Sequence, residues 1–151
     1  MSDYLLDTSF LSAFAPDRPL LPSHVQKWVT DQRERGSWHM SSIVVLELEK
    51  GITKLKRSGG HAKVERISQW FESLLVEFDQ RILPVDVAIG REAGRLEDSA
   101  NARGVNPGLA DVLIAATARL NGLSVLTANV RHFAVLDVPY LNPFAQGDPA
   151  A

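Results

Sequence analysis

The sequence predicts a single α/β domain built on a mainly parallel central sheet of about five strands flanked by helices. Three observations carry that prediction. Short β-compatible runs alternate with helix-length amphipathic segments along the whole chain, the pattern in which helices connect parallel strands. The 151 residues amount to one domain's worth of chain, with no repeat or linker dividing them. The polar residues best suited to chemistry fall where strand-like runs give way to helices, the edge of an open parallel sheet at which ligands bind.

Each element has its own signal. Residues 3–7 form the first strand, in which Tyr4, Leu5 and Leu6 end abruptly in Asp7, followed by the hydroxyl residues Thr8 and Ser9. Segment 22–36 opens on a proline, places Val25, Trp28 and Val29 at helical spacing and closes on Gly36. A second strand at 37–41 leads into a helix over 42–56 whose apolar stripe is Val45, Leu48, Ile52 and Leu55. After the Gly59-Gly60 break, 62–78 carries Val64, Ile67, Trp70, Phe71, Leu74, Leu75 and Phe78 on one broad face. For Trp70 and Phe71 that spacing favours core or dimer packing over base stacking. A strand at 81–86, a helix over 87–104 and an alanine-rich helix over 109–122, with Gly122 just past its last turn, continue the alternation. Strands at 123–129 and, on an edge, at 138–144 complete a domain of residues 1–144, and the tail 145–151 is expected to be disordered.

Composition removes several function classes. With 16 Lys and Arg against 18 Asp and Glu, the net charge is -2. No global positive field exists, so affinity for nucleic acid requires a local patch or bound cations. Cysteine is absent, which excludes disulfides, thiolate metal sites and a cysteine nucleophile. His24, His39, His61 and His132 are scattered, without the spacing of a zinc enzyme. The apolar run Val112–Ala118 is too short to span a bilayer, and the start of the chain lacks the basic and apolar regions of a signal peptide. A soluble, cytoplasmic protein without membrane attachment is expected.

Four polar residues from distant segments can meet at one sheet edge: Asp7 and Asn129 at strand ends, and Glu47 and Asp111 near the starts of their helices. Carboxylates brought close repel, so that one protonates or a cation neutralises them. Oxygen ligands favour a hard cation, Mg²⁺ or, as a substitute, Mn²⁺, which can bind a phosphate oxygen and activate water for phosphodiester hydrolysis. Taken singly, each residue has a simpler reading. Asp7 caps a loop or helix, Asp111 is a favourable acid at a helix N-terminus, and Asn129 is a turn residue. Glu47 and Glu49 flank Leu48 symmetrically, and periodicity does not choose between them.

Together the residues resemble the PIN-domain ribonucleases, and within them the VapC-type toxins of toxin–antitoxin pairs, especially the FitB-like branch. "YLLDTSFLS" is similar to the family's opening strand with its first acidic ligand, Asp7. "SSIVVLELEKG" resembles its serine-led helix, which selects Glu47. "LADVLIAATARLNGLSVLTANVRHF" resembles its third block, with the acid at Asp111, and "LNPF" fits the ending. The resemblance implies a Mg²⁺-dependent endoribonuclease that hydrolyses RNA phosphodiester bonds, tRNA or rRNA among them, and leaves 5′-phosphate and 3′-hydroxyl ends. It implies Asp7, Glu47 and Asp111 as metal ligands and Asn129 as a fourth catalytic position. It also implies a homodimer and a cognate VapB-like antitoxin that reaches into the acidic pocket with a basic side chain.

The sequence departs from the family pattern at three places. Asn129 stands where aspartate is common, His132 where an acid is frequent, and Ser9 where asparagine is usual. Thr8 and Thr127 can support carboxylates or metal-bound waters through hydrogen bonds, although hydroxyls at strand ends commonly serve the local backbone. Lys50, Lys54, Lys56, Arg57, Lys63 and Arg66 gather around the glycine turn; Lys50, Lys54 and Arg57 are the candidate RNA contacts, against the plainer reading of a solvated face. Glu97 and Asp98 are further carboxylates without a motif match. Asn129 gives weight to an alternative in which a catalytically weak domain binds RNA or an antitoxin without efficient cleavage. A phosphatase or receiver domain is disfavoured, since Asp7 lacks the second aspartate of the one and the adjacent acidic pair of the other.

Overall fold

The computed structural model describes residues 3–145. Five strands, β1 (Tyr4–Leu6), β2 (Trp38–Ser41), β3 (Ile82–Leu83), β4 (Ser124–Leu126) and β5 (Tyr140–Leu141), form one sheet in the order β3-β2-β1-β4-β5. Every neighbouring pair is parallel; Leu5 on the central β1 lies opposite His39 of β2 and Val125 of β4. Parallel neighbours need long crossover connections, and the helices supply them: α1 (Thr8–Ser12), α2 (Ser23–Arg35), α3 (Ser42–Arg57), α4 (His61–Phe78), α5 (Val87–Ala102), α6 (Leu109–Asn121) and α7 (Val130–Ala134). The chain runs outward from β1 through β2 to β3, then returns to the far side of β1 for β4 and β5. The order therefore reverses between β1 and β4, and the crevice beyond the carboxyl ends of those strands is where such sheets bind ligands.

Burial explains which segments became strands. Tyr4, Leu5 and Leu6 are all buried, the continuous apolar run of a strand covered on both faces. Edge strands pair on one side only, and here they are short. The strand expected at 81–86 reduces to Ile82–Leu83 after a 3-10 turn at Asp79–Arg81, and that expected at 138–144 to Tyr140–Leu141. The expected strand 123–129 stops at Leu126, leaving Thr127 to Asn129 beyond the sheet. Ala145 closes a turn on the Asn142 carbonyl, and the remainder of the expected disordered tail, 146–151, lies outside the described residues.

The main core gathers Leu5, Leu6, Phe10, Met40, Ile114, Val125, Leu126 and Phe133, with a satellite of Ile52, Val64 and Phe71 under the α3–α4 hairpin. Phe71 is thus core, while Trp70 packs part-buried against both clusters. Fully burying such side chains contributes roughly 1.5–3 kcal/mol each. Phe10 matters most for position: its ring centroid lies 5.1 Å from Phe14, 5.7 Å from Trp38 and 5.6 Å from Phe144. That contact fixes α1 against the sheet and, with it, the residues that begin α1. No helix among the described residues is long and apolar enough to cross a membrane.

Candidate active site

The β1–β4 crevice is organised around Asp7. The Asp7 N–H donates to the Leu126 carbonyl at 2.9 Å, which carries the β1–β4 ladder one residue past the strand and sets the side chain at the switch point. The carboxylate is 3% exposed, and a buried carboxylate requires donors. It has three: the Thr8 N–H at 2.8 Å on Oδ1, and the Ser9 and Thr127 hydroxyls at 2.7 and 2.8 Å on Oδ2. Both hydroxyls are themselves oriented, since Ser9 Oγ accepts from the Ala128 N–H at 3.1 Å and Thr127 Oγ1 from the Asn129 N–H at 2.8 Å. The simple reading of Asp7 as a cap is realised, for it starts α1, but a cap needs one acceptor and Asp7 serves three donors from two elements.

Glu47 arrives from α3. Ser41 caps that helix by accepting from the Ile43 N–H at 3.2 Å, and Ser42 Oγ accepts from the Val85 N–H at 3.1 Å, so the helix start is tied to both β2 and the loop after β3. One and a half turns on, Glu47 Oε1 accepts from Thr8 Oγ1 at 2.7 Å. Glu47 is half-buried, whereas Glu49 is exposed and faces the other side of the helix, beside Lys50. The ambiguity of the sequence is resolved by that contact. Thr8 is thereby the link between two carboxylates, its N–H on Asp7 and its hydroxyl on Glu47.

Asp111 lies in the first turn of α6, a helix whose Val112 and Ile114–Ala118 are all buried. Its side chain is 21% exposed, and His132 Nδ1 on α7 stands 2.9 Å from Oδ2. Burial pushes the Asp111 carboxyl above its ordinary value, the charge of Asp7 pushes it further, and the imidazole of His132 pulls it back. Asp7 and Asp111 therefore repel across the crevice. Asn129 occupies the position before α7, exposed, and its side chain does not cap that helix. Its contacts are made by the backbone, the N–H donating to Thr127 Oγ1 and the carbonyl accepting from the His132 N–H. Glu97 and Asp98 on α5 take no part in these contacts.

Among the described residues, no three Asp, Glu or His side chains form a ready-made metal cluster; the acids are coupled through Thr8 and by charge. An open groove of about 460 Å³ begins at Thr8 and Glu47 and runs between the 15–19 segment and the α3–α4 hairpin, over Leu48, Ile52 and Trp70 to Arg18 and Lys63. Lys50, Lys54 and Arg57 line a separate depression of about 340 Å³ on the outer face of α3. Arg66 is engaged with Asp17 at 2.8 Å. Sequence reasoning noticed Ser9 and His132 only as departures and gave neither a task; both touch the acids directly, a fact visible only once 9 meets 127 and 132 meets 111.

A parallel sheet with acids delivered to its switch point from β1, α3 and α6 defines the class, and the PIN-domain family model matches residues 4–138. The chain belongs to the PIN-domain family. Among its relatives, Toxin FitB of Neisseria gonorrhoeae is 32% identical over 144 residues, covering 93% of this chain and 97% of the relative. Plasmid stability protein StbB of Pseudomonas syringae pv. tomato is 29% identical over 140 residues, with 93% and 97% covered. In structure, the chain is similar to the crystal structure of FitAcB from Neisseria gonorrhoeae, with a TM-score of 0.80 at 31% identity, covering 93% of this chain and 98% of the other.

Proposed function

We propose that this PIN domain is the toxin of a toxin–antitoxin pair and acts as a divalent-cation-dependent endoribonuclease in the cytoplasm. The observation that carries the reading is the convergence of Asp7, Glu47 and Asp111 on the β1–β4 crevice, with Thr8 bonded to the first two and Asp7 charge felt by the third. The donor set is dominated by carboxylate oxygen and keeps a repulsion between Asp7 and Asp111 that His132 offsets only in part, which fits a hard cation such as Mg²⁺ or Mn²⁺. Asp7, Glu47 and Asp111 would hold it, with Asn129 beside them. When bound, the cation supplies charge neutralisation for phosphate and an acidified water.

The chain's own residues supply the rest. Ser9, Thr127 and the Thr8 N–H hold Asp7 in one orientation, and Thr8 Oγ1 does the same for Glu47, so that little reorganisation is needed when substrate binds. Lys50, Lys54 and Arg57 present a basic strip for RNA phosphates, tRNA or rRNA among the candidates. Reversing two of these charges, as in Lys50→Glu with Lys54→Glu, is expected to raise KM for RNA and flatten its salt dependence by about two charges' worth of slope, with kcat little changed; RNA titrations at several salt concentrations check this.

A VapB-like antitoxin is the expected partner of such a toxin, the role that the name of the relative Toxin FitB carries, and the groove starting at Glu47 is the surface on which its basic side chain would meet the acids. Exposed Leu46, Val87 and Leu109 near the starts of α3, α5 and α6 support a homodimer. The binding-only alternative keeps its one observation, the uncharged Asn129.

The test is cleavage of RNA by purified, antitoxin-free protein with Mg²⁺ or Mn²⁺ and with EDTA, in wild type, Glu47→Gln and Glu49→Gln. Cleavage that needs the cation, falls on the order of a thousandfold in Glu47→Gln and persists in Glu49→Gln is expected. RNA binding without cleavage under every cation would transfer the assignment to the binding reading.

A further inference from the structure

Resting on the nuclease reading, we infer that His132 is a positioning residue, which holds the Asp111 carboxylate by a hydrogen bond from Nδ1 to Oδ2 and leaves the other carboxylate oxygen for the cation. The contact is 2.9 Å, within hydrogen-bond distance. It joins the first turn of α6 to α7, two short-range geometries set in separate segments of the chain. Asp111 has reason to need it. The helix carrying Asp111 is buried along most of its length, Asp7 repels it, and the Asn129 side chain, which sits on the same connection as His132, does not cap α7.

A free aspartate turns about its side-chain torsions to carry its charge away from a like charge and toward water. A donor on one oxygen removes that freedom, the usual task of groups that hydrogen-bond to metal ligands from outside the coordination shell. His132 itself is anchored from the backbone side: its N–H donates to the Asn129 carbonyl at 3.0 Å, and its neighbour Phe133 is fully buried. The imidazole is 55% exposed, so its removal leaves the core intact. The departure at 132 thus has a use: an imidazole in place of a further acid adds a donor to Asp111 where an acid would add another repelling charge.

The experiment measures Mn²⁺ affinity directly, by electron paramagnetic resonance titration of the metal-free protein, in wild type, His132→Ala and His132→Asn. Asparagine places an N–H near the position of Nδ1. Expected results are a ten- to hundredfold weaker Mn²⁺ affinity in His132→Ala, recovery to within a few fold in His132→Asn, and an unchanged KM for RNA at saturating cation. Equal affinity in all three proteins overturns the positioning role and leaves the nuclease reading standing. Nitrogen coupling to bound Mn²⁺ that vanishes in His132→Ala also overturns it, by making the imidazole a ligand. Wild type that neither binds Mn²⁺ nor cuts RNA defeats the nuclease reading and this inference with it.

Discussion

Replacing Asp7 is expected to separate the two roles of that carboxylate. Asp7→Ala removes the acceptor of three hydrogen bonds in a site that is 3% exposed. The Thr8 N–H cannot reorient, whereas one of the Ser9 and Thr127 hydroxyls, 3.2 Å apart, can turn to donate to the other and leave a single hydroxyl proton without its acceptor. A buried donor left without a partner costs about 1–3 kcal/mol. Because water can enter the space vacated beside an open crevice, the summed loss for Asp7→Ala is placed at roughly 2–4 kcal/mol. Asp7→Asn should behave otherwise. Its carbonyl can take the Thr8 N–H, and its amide can donate to hydroxyl oxygens that have lone pairs to spare, so its stability should lie nearer that of wild type. Activity should fall in both, on the order of a thousandfold or more, because the charge at the switch point is gone. Denaturant unfolding alongside RNA cleavage reads the two effects. An Asp7→Asn protein as active as wild type would remove Asp7 from the chemistry.

Asp111→Asn is expected to reverse the usual relation between a damaging substitution and stability. Cleavage should fall by a similar factor, while the metal-free protein should melt no lower than wild type at neutral pH. The sign follows from linkage. Burial and the charge of Asp7 raise the folded-state Asp111 carboxyl above the ordinary value of 3.8, so the native state holds this proton where the unfolded chain has released it. Wild type therefore gains stability as pH falls through the interval between the raised value and 3.8, and above that interval it carries the penalty of an ionised, repelled acid. The amide never ionises. Its advantage over wild type should be greatest above the interval and shrink as pH falls toward 3.8. Saturating Mn²⁺ should abolish the advantage by stabilising wild type alone. Thermal melts across pH, with and without Mn²⁺, provide the check; an Asp111→Asn protein that is much less stable at pH 7 in the absence of cation would show that the acid is structural.

The stretches that the sequence marked well were those with many residues to mark them. Helices α3 to α6 each repeat their apolar side chains over about three turns or more, while α2 is marked by Val25, Trp28 and Val29 and by its ends at Pro22 and Gly36; the Gly59-Gly60 pair and Gly122, the last in the left-handed conformation at φ 64, mark further ends. Helices α1 and α7 span five residues each, too few for a period to show. They are set by what they touch, Phe10 and Phe133 being buried in the core. The acids at 7 and 111 were visible because polar residues interrupt apolar runs there, which is a local signal. Glu47 was not separable from Glu49 by the same means, because both flank the stripe.

By itself, then, the sequence determined the alternation of strands and helices, the parallel sheet that alternation requires, and the delivery of Asp7 and Asp111 to one edge, since side-chain periodicity and strand ends are properties of adjacent residues. Only the tertiary structure decided the strand order, the choice of Glu47 through Thr8, and the tasks of Ser9 and His132. The strand order and the contacts of Glu47 and His132 join residues far apart in the chain, 39 positions in the case of Thr8 and Glu47, and the local bond from Ser9 to Asp7 is oriented by the Ala128 N–H, 119 positions on. The free energy of such contacts exists only after β1, β4 and the crossing helices have packed, and no spacing along the chain encodes it.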